Sequence, residues 1–80
     1  MNESELRNLL SEILADIAPE AVLGDVAADE DLREALDLDS MDFLNVLIGL
    51  HERTGIDIPE ADYPQLFTLE TMTGYLAARK

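Results

Sequence analysis

The sequence has no cysteine and no tryptophan, and it has few aromatic and basic residues. The absence of cysteine excludes both a disulfide framework and a thiolate metal site. Only two tyrosines and two phenylalanines are present, so a core would be mostly aliphatic. Five Lys and Arg residues are too few for the clustered phosphate contacts that nucleic-acid binding needs. No nucleic-acid partner is therefore expected.

Long hydrophobic runs are also missing. No apolar stretch reaches the length of a membrane-spanning helix. The first ten residues, MNESELRNLL, lack the basic segment of a secretory signal. A cytoplasmic protein without stable membrane association is the default expectation.

Acidic residues and aliphatic residues dominate what is present. The 80 residues are enough for one domain, and 48% of them are hydrophobic. Eighteen acidic residues give a net charge of −13. Such a charge favours a soluble monomer and attracts proteins that present basic patches.

The N-terminal half predicts one long helix followed by a long loop. Leucine and isoleucine recur at helical spacing over residues 2–17, and Asn2 with Glu5 resembles a capping box. Residues 18–38 contain proline, glycine and many acids, but also regularly placed apolar residues. We expect these apolar residues to hold the loop against the helices, with one helical turn in DLREAL.

The C-terminal half predicts two further long helices. One covers residues 40–53 and stops before Gly55, which is suited to a C-cap. The other follows Thr68, a potential N-cap. Pro59 and Pro64 restrict any helix between them to a short one. The predicted fold is all-α, a small four-helix bundle of three longer helices and one short helix, with the long loop between the first two long helices.

The segment DSMD, residues 39–42, does not predict an enzyme or a specific metal site. His51, the only histidine, would stand about 16 Å from Ser40 along one helix, beyond hydrogen-bond reach. Asp37, Asp39 and Asp42 lack the spacing and the central glycine of a calcium loop.

The same segment suits a helix start. Asp39 as N-cap and Asp42 at the third helical position would satisfy free backbone amides. Ser40 then takes the first helical position, where its hydroxyl is free and an attached anion is tolerated, although the neighbouring carboxylates oppose that charge. Met41 and Ile48 flank the polar strip of this helix. They either contact a partner or are covered by the long loop.

The apolar residues of the same helix divide between core and surface. Its apolar arc is about twice as wide as the stripe that packing needs, so part of it is expected to stay exposed. The residues assigned to the core are Phe43, Val46, Leu47 and Leu50.

The stretch LDLDSMDFLNVLIGLHERTGIDIP, within so acidic a chain, resembles the acyl carrier proteins over essentially the whole length. The resemblance implies that Ser40 carries 4′-phosphopantetheine, attached from coenzyme A by a phosphopantetheinyl transferase. It also implies a carrier of acyl thioesters and not an enzyme. Its partners would be acyl-loading and acyl-using enzymes with basic docking patches.

The resemblance assigns further residues to sites. Those matching the partner-binding surface are Asp39, Met41, Asp42, Leu44, Asn45, Ile48 and Glu52. Those matching the entrance of the acyl pocket are Ile58, Tyr63 and Leu66. The chain departs from the family at Asp37, where glycine is common, and in a docking face with fewer acids. These departures favour a specialised carrier.

Two other functions stay open on the sequence alone. An aminoacyl, alanyl or peptidyl carrier would share the fold and the serine. An acidic helical interaction module would need no prosthetic group. The cargo and the pathway, whether fatty acid, lipid or specialised biosynthesis, are not specified by these residues.

Overall fold

Residues 1–79 form four α-helices and two 3₁₀ helices. The structure is a computed structural model that describes residues 1–79, so Lys80 of the predicted domain, 1–80, lies outside the described residues. The α-helices are α1 (Glu3–Ile17), α2 (Leu32–Ala35), α3 (Ser40–Thr54) and α4 (Leu69–Arg79). The 3₁₀ helices are Leu23–Asp25 and Glu60–Leu66. No strand occurs in residues 1–79, and the predicted all-α bundle is confirmed.

The first helix begins with the predicted capping box. Asn2 Oδ1 accepts a hydrogen bond from the Glu5 N–H at 2.9 Å, and Glu5 Oε1 accepts one from the Asn2 N–H at 3.0 Å. Two of the amides that a helix start leaves unpaired are thus satisfied. Pro19 follows two residues after the end of α1, as the sequence predicts.

The core lies where α1 packs against α3 and α4. Its side chains are almost all aliphatic, as the scarcity of aromatic residues requires. The side chains with at most 1% of their surface exposed are Leu6, Leu10, Leu50, Leu66, Leu69, Met72 and Leu76. The residues predicted to face the core from α3, namely Phe43, Val46, Leu47 and Leu50, are all buried. None of the described helices is long and apolar enough to cross a membrane.

The long loop between α1 and α3 is fixed by both apolar and polar contacts. Leu23, Val26 and Leu32 are buried, so the loop is held against the helices as predicted. Arg7 of α1 adds a contact that the sequence does not reveal. Its guanidinium donates to the carbonyl oxygens of Leu23 at 3.3 Å and Val26 at 2.9 Å. These bonds satisfy backbone acceptors that the loop cannot pair internally.

The connection from α2 to α3 is a Schellman motif. The Leu38 N–H donates to the Arg33 carbonyl at 2.8 Å, and the Asp37 N–H donates to the Glu34 carbonyl at 3.3 Å. Asp37 takes the left-handed conformation that this motif requires, with φ of 53°. The turn ends α2 and places Asp39 at the start of α3 two residues later.

The 3₁₀ helix Glu60–Leu66 is tied to α4 by a side-chain cluster. Tyr75 Oη donates to Asp62 Oδ2 at 2.8 Å. The guanidinium of Arg79 lies 3.6 Å from the centre of the Tyr75 ring and 3.5 Å from the same carboxylate oxygen. This cluster holds one wall of the region beside Ser40 against the last helix.

Candidate functional site

Ser40 is the first residue of α3, and its side chain is exposed. Asp39 caps the helix, since its Oδ1 accepts a hydrogen bond from the Asp42 N–H at 2.8 Å. The predicted cap is confirmed. The Ser40 hydroxyl makes no hydrogen bond within residues 1–79, because Asp39 already performs the capping that a serine at a helix start often performs.

A cavity of about 400 Å³, here called the Ser40 cavity, opens beside this serine. Three of the four aromatic residues of the chain contribute to it. A volume of this size is at the lower end of the range for small-ligand sites. The residues that line the cavity are Arg33, Ser40, Phe43, Leu44, Glu60, Tyr63 and Phe67.

Arg33 is held in a fixed orientation at the Ser40 cavity. Its Nε and Nη2 donate to the two carboxylate oxygens of Asp31 at 3.1 and 2.7 Å. The guanidinium carbon lies 3.6 Å from the centre of the Phe67 ring. The hydrogen bond from Arg33 lowers the pKa of Asp31 below its ordinary value, and the carboxylate raises the pKa of Arg33. Both groups therefore stay charged around neutral pH.

The sequence did not point to Arg33, Glu60 or Phe67 as site residues. The only available signal for Arg33 was a single basic residue in the DLREAL turn of an acidic loop. Phe67 comes close to Ser40 only through the packing of its ring beside Phe43, with ring centres 5.6 Å apart.

The three residues expected at the acyl-pocket entrance occupy different places. Tyr63 lines the Ser40 cavity and also a second cavity of about 410 Å³. Ile58 lines the second cavity, together with Ile48 and His51. Leu66 is fully buried and belongs to the core, because the end of the 3₁₀ helix turns its side chain towards the helices. It does not lie at an opening.

The outer face of α3 carries the residues expected to bind partners. Met41 is 63% exposed and Ile48 is 45% exposed, so the long loop does not cover them. Asp39, Asn45 and Glu52 are also exposed, whereas Asp42 and Leu44 are partly buried. The face therefore combines exposed apolar side chains with carboxylates.

One polar interaction joins this face to α1. Arg53 Nη1 lies 3.3 Å from Glu12 Oε1, on the α1 side of α3. Both side chains are exposed. The carboxylate of Glu12 largely neutralises the charge of Arg53 within the molecule.

The part of the chain that the structure describes contains no group of three or more His, Asp or Glu side chains able to hold a metal ion.

Comparisons with known proteins identify the family of the chain. A family model described as a phosphopantetheine attachment site matches residues 4–76. The chain is 29% identical to an acyl carrier protein of Thermosynechococcus vestitus, over 95% of this chain and 93% of the relative. It is 31% identical to an acyl carrier protein of Campylobacter hominis, over 90% of this chain and 85% of the relative. The chain thus belongs to the acyl carrier protein family and is a carrier that uses 4′-phosphopantetheine, not an enzyme.

Proposed function

We propose that Ser40 bears the 4′-phosphopantetheine arm and that the arm carries acyl intermediates as thioesters for fatty acid, lipid or specialised biosynthesis. The observation that supports Ser40 most directly is its exposed hydroxyl at the first position of α3, without a hydrogen bond in residues 1–79. Because Asp39 caps the helix, esterification of Ser40 breaks no bond of the fold. The adjoining Ser40 cavity gives the arm a surface to lie against.

The attachment reaction would be carried out by a phosphopantetheinyl transferase with its own Mg²⁺. A bond forms between Ser40 Oγ and the phosphorus that bears the pantetheine. The pyrophosphate bond of coenzyme A breaks, adenosine 3′,5′-bisphosphate leaves, and the hydroxyl proton passes to the transferase. The carrier contributes no catalytic group, since the arm supplies the thiol. Tethering raises the effective concentration of the acyl group at a docked enzyme.

Intact-mass measurement tests the attachment site. Incubation with coenzyme A, Mg²⁺ and a broad-specificity transferase should add one phosphopantetheine to the wild-type chain and none to Ser40→Ala. Ser11→Ala is the matched control, because Ser11 is also an exposed helical serine, but on α1. It should be modified like the wild type. No gain in the wild type, or a gain in Ser40→Ala, would contradict the proposal.

The partner surface would be the outer face of α3. Met41 and Ile48 would enter apolar sockets on the partner, and Asp39, Asp42 and Glu52 would face its basic residues. Buried apolar contacts contribute most of the affinity in such interfaces, and charges mainly steer the encounter. We further propose that the carrier acts as a monomer in the cytoplasm.

Alanine substitution at exposed apolar residues tests this surface. Met41→Ala and Ile48→Ala should each raise the KM for modification by the transferase about three- to tenfold, with little change in kcat. Val22→Ala is the control, because Val22 is 65% exposed but lies on the loop. Equal effects of all three substitutions would argue against a docking surface on α3.

Loading of the holo protein distinguishes an acyl carrier from an aminoacyl or peptidyl carrier. Membership in the acyl carrier protein family argues against an interaction module without a prosthetic group, and both relatives are acyl carriers. The holo protein should therefore accept acyl groups and not amino acids from the respective loading enzymes. Preferential aminoacylation would assign the chain to the aminoacyl or peptidyl carriers instead.

A further inference from the structure

Attachment of the arm to Ser40 creates an electrostatic problem. The phosphodiester adds a permanent negative charge to a chain whose net charge is already −13. Asp39 precedes the serine and Asp42 follows it by two residues, and Glu60 lines the Ser40 cavity. Like charges at such short range oppose one another unless a cation lies nearby. The first turn of α3 offers amide dipoles, but it offers no positively charged side chain.

Arg33 is the one cation among residues 1–79 that lines the Ser40 cavity. The other arginines that the structure describes are engaged elsewhere. Arg7 binds the loop carbonyls, Arg53 pairs with Glu12, and Arg79 stacks on Tyr75. Arg33 comes from α2, which the Schellman motif joins directly to α3. The short connection keeps the cation close to the start of the helix that bears Ser40.

The orientation of Arg33 leaves one edge of its guanidinium available. Asp31 receives the hydrogen bonds from Nε and Nη2, and one face of the group lies on the Phe67 ring. Nη1 makes no hydrogen bond within residues 1–79. A guanidinium has five N–H donors, so the edge formed by Nη1 and the second Nη2 hydrogen can bind another oxyanion in a forked arrangement.

We propose that Arg33 is a positioning residue that binds the arm phosphodiester through this edge and holds the first part of the arm at the Ser40 cavity. This proposal rests on Ser40 being the attachment site. Asp31 holds the Arg33 guanidinium through hydrogen bonds, and the Phe67 ring packs against one face of it. The contact lowers the electrostatic cost of carrying the arm. Because Asp31 and Glu60 oppose an anion here, its effect is that of a partly exposed ion pair and is modest in size.

A carboxylate on the cargo would present the same oxyanion chemistry to Arg33. The arm phosphodiester and a cargo carboxylate differ in the stage at which they are present. The phosphodiester is present in every holo chain, whereas a cargo carboxylate is present only after loading. The holo protein without cargo therefore isolates the phosphodiester.

The experiment compares apo and holo forms of the wild type, Arg33→Met and Arg53→Met. Arg53→Met is the matched control, since it also removes one exposed, ion-paired arginine, but one paired with Glu12 on the α1 side of α3. Intact mass first verifies that each holo sample carries one arm. ³¹P NMR then reports the phosphodiester resonance, and thermal unfolding reports the change in Tm on loading. Subtracting the apo value of each variant removes any direct effect of the substitution on folding.

We expect Arg33→Met to shift the ³¹P resonance and to make loading lower the Tm by about 4 °C more than in the wild type. Arg53→Met should leave both quantities as in the wild type. The double variant Asp31→Asn/Arg33→Met keeps the wild-type net charge and should behave like Arg33→Met, which excludes a general charge effect. Asparagine keeps the capping ability of residue 31.

The possible failures are distinguishable. If no arm is added to any chain, the attachment proposal and the Arg33 proposal both fail. If the arm is added but Arg33→Met matches the wild type in both measurements, Ser40 stands as the attachment site and the role of Arg33 is refuted. If Arg33→Met differs from the wild type only when the arm carries succinyl and not butyryl, the oxyanion is a cargo carboxylate, and the phosphodiester contact is refuted.

Discussion

At the scale of single residues, Asp37 shows how the turn before Ser40 is made. The acyl carrier resemblance marks this position as one where glycine is common, and the structure gives the reason. The residue has φ of 53°, a conformation that costs a side chain with a Cβ about 1–2 kcal/mol and that aspartate tolerates better than most. The sequence departure therefore lies at a site where backbone geometry, and not a ligand, favours glycine.

Replacement of Asp37 by glycine should stabilise the protein. Asp37→Gly relieves the left-handed strain and removes a negative charge. These gains in stability exceed the entropy cost of folding a more flexible unfolded chain. We expect the free energy of unfolding to rise by about 0.5–1 kcal/mol in urea denaturation.

Asp37→Asn is the control for this substitution, because it removes the charge but keeps a side chain suited to the left-handed region. A gain for Asn equal to that for Gly would show that charge, and not backbone conformation, is responsible.

At the scale of elements, a glycine sets how closely α1 and α3 pack. A Cβ built on Gly49 would lie 2.8 Å from Ile13 Cγ2, closer than real contacts allow. Gly74 of α4 is also helical, but a Cβ there would meet nothing within 4 Å. The two positions thus share helix geometry and differ in the space available to a side chain.

Alanine at these two glycines should act in opposite directions. Gly49→Ala should lower the free energy of unfolding by about 1 kcal/mol, because overpacking outweighs the gain in helix propensity. Gly74→Ala should raise it by about 0.5–1 kcal/mol, since only the propensity changes. Chemical denaturation measures both. Stabilisation by Gly49→Ala would mean that Ile13 moves aside at little cost.

Tyr75 couples the 3₁₀ helix Glu60–Leu66 to α4 in a pH-dependent manner. Burial, and then the hydrogen bond to Asp62, raise the pKa of Tyr75 above its ordinary value of 10.0. The unfolded chain loses this proton at lower pH than the folded chain. The stability that the protonated Tyr75 contributes is fully present below about pH 10, and it is lost as the pH rises through the folded-state pKa.

Thermal unfolding between about pH 9 and 12 should therefore show a Tm that falls with pH, and Tyr75→Phe should weaken that fall. Tyr63→Phe is the control, since it removes the other phenol and leaves the Tyr75–Asp62 hydrogen bond in place. An identical pH profile for Tyr75→Phe and the wild type would show that another group causes the loss of stability at high pH.

The sequence predicts the elements better than it predicts the contacts between them. The periodicity of α1, the capping box and the Asp39 cap are local, so residues within a few positions determine them. The bonds from Arg7 to loop carbonyls 16 and 19 residues away are not local. The stacking of Arg33 on Phe67 likewise depends on two segments that meet only in the folded chain. For this reason Ser40 could be singled out from the sequence, whereas most of the cavity around it could not.

At the scale of the whole molecule, the net charge of −13 is spread over a small surface. Four arginine–carboxylate ion pairs occur within residues 1–79, His51 Nδ1 lies 3.7 Å from Asp57 Oδ1, and most carboxylates have no cationic partner there. Self-repulsion therefore works against the compact state, while the same field would attract partners with basic surfaces, as proposed above. The charge that we propose to serve recognition thus reduces stability.

Added salt should consequently stabilise the fold. Raising NaCl from about 10 mM to about 500 mM shortens the screening length and should raise the Tm by about 5 °C. Divalent chloride salts should have the same effect at lower concentration. Calorimetry or circular dichroism measures the change. A Tm that does not respond to either salt would show that the carboxylates are too far apart to repel one another appreciably.

The division of labour between Asp39 and its neighbour has a consequence for the life cycle of the protein. Asp39 caps the helix, whereas the Ser40 hydroxyl has no structural role within residues 1–79. The arm that we propose for Ser40 would therefore be attached without any segment of the backbone having to come apart. Under the proposed function, the same scaffold would serve through repeated rounds of loading.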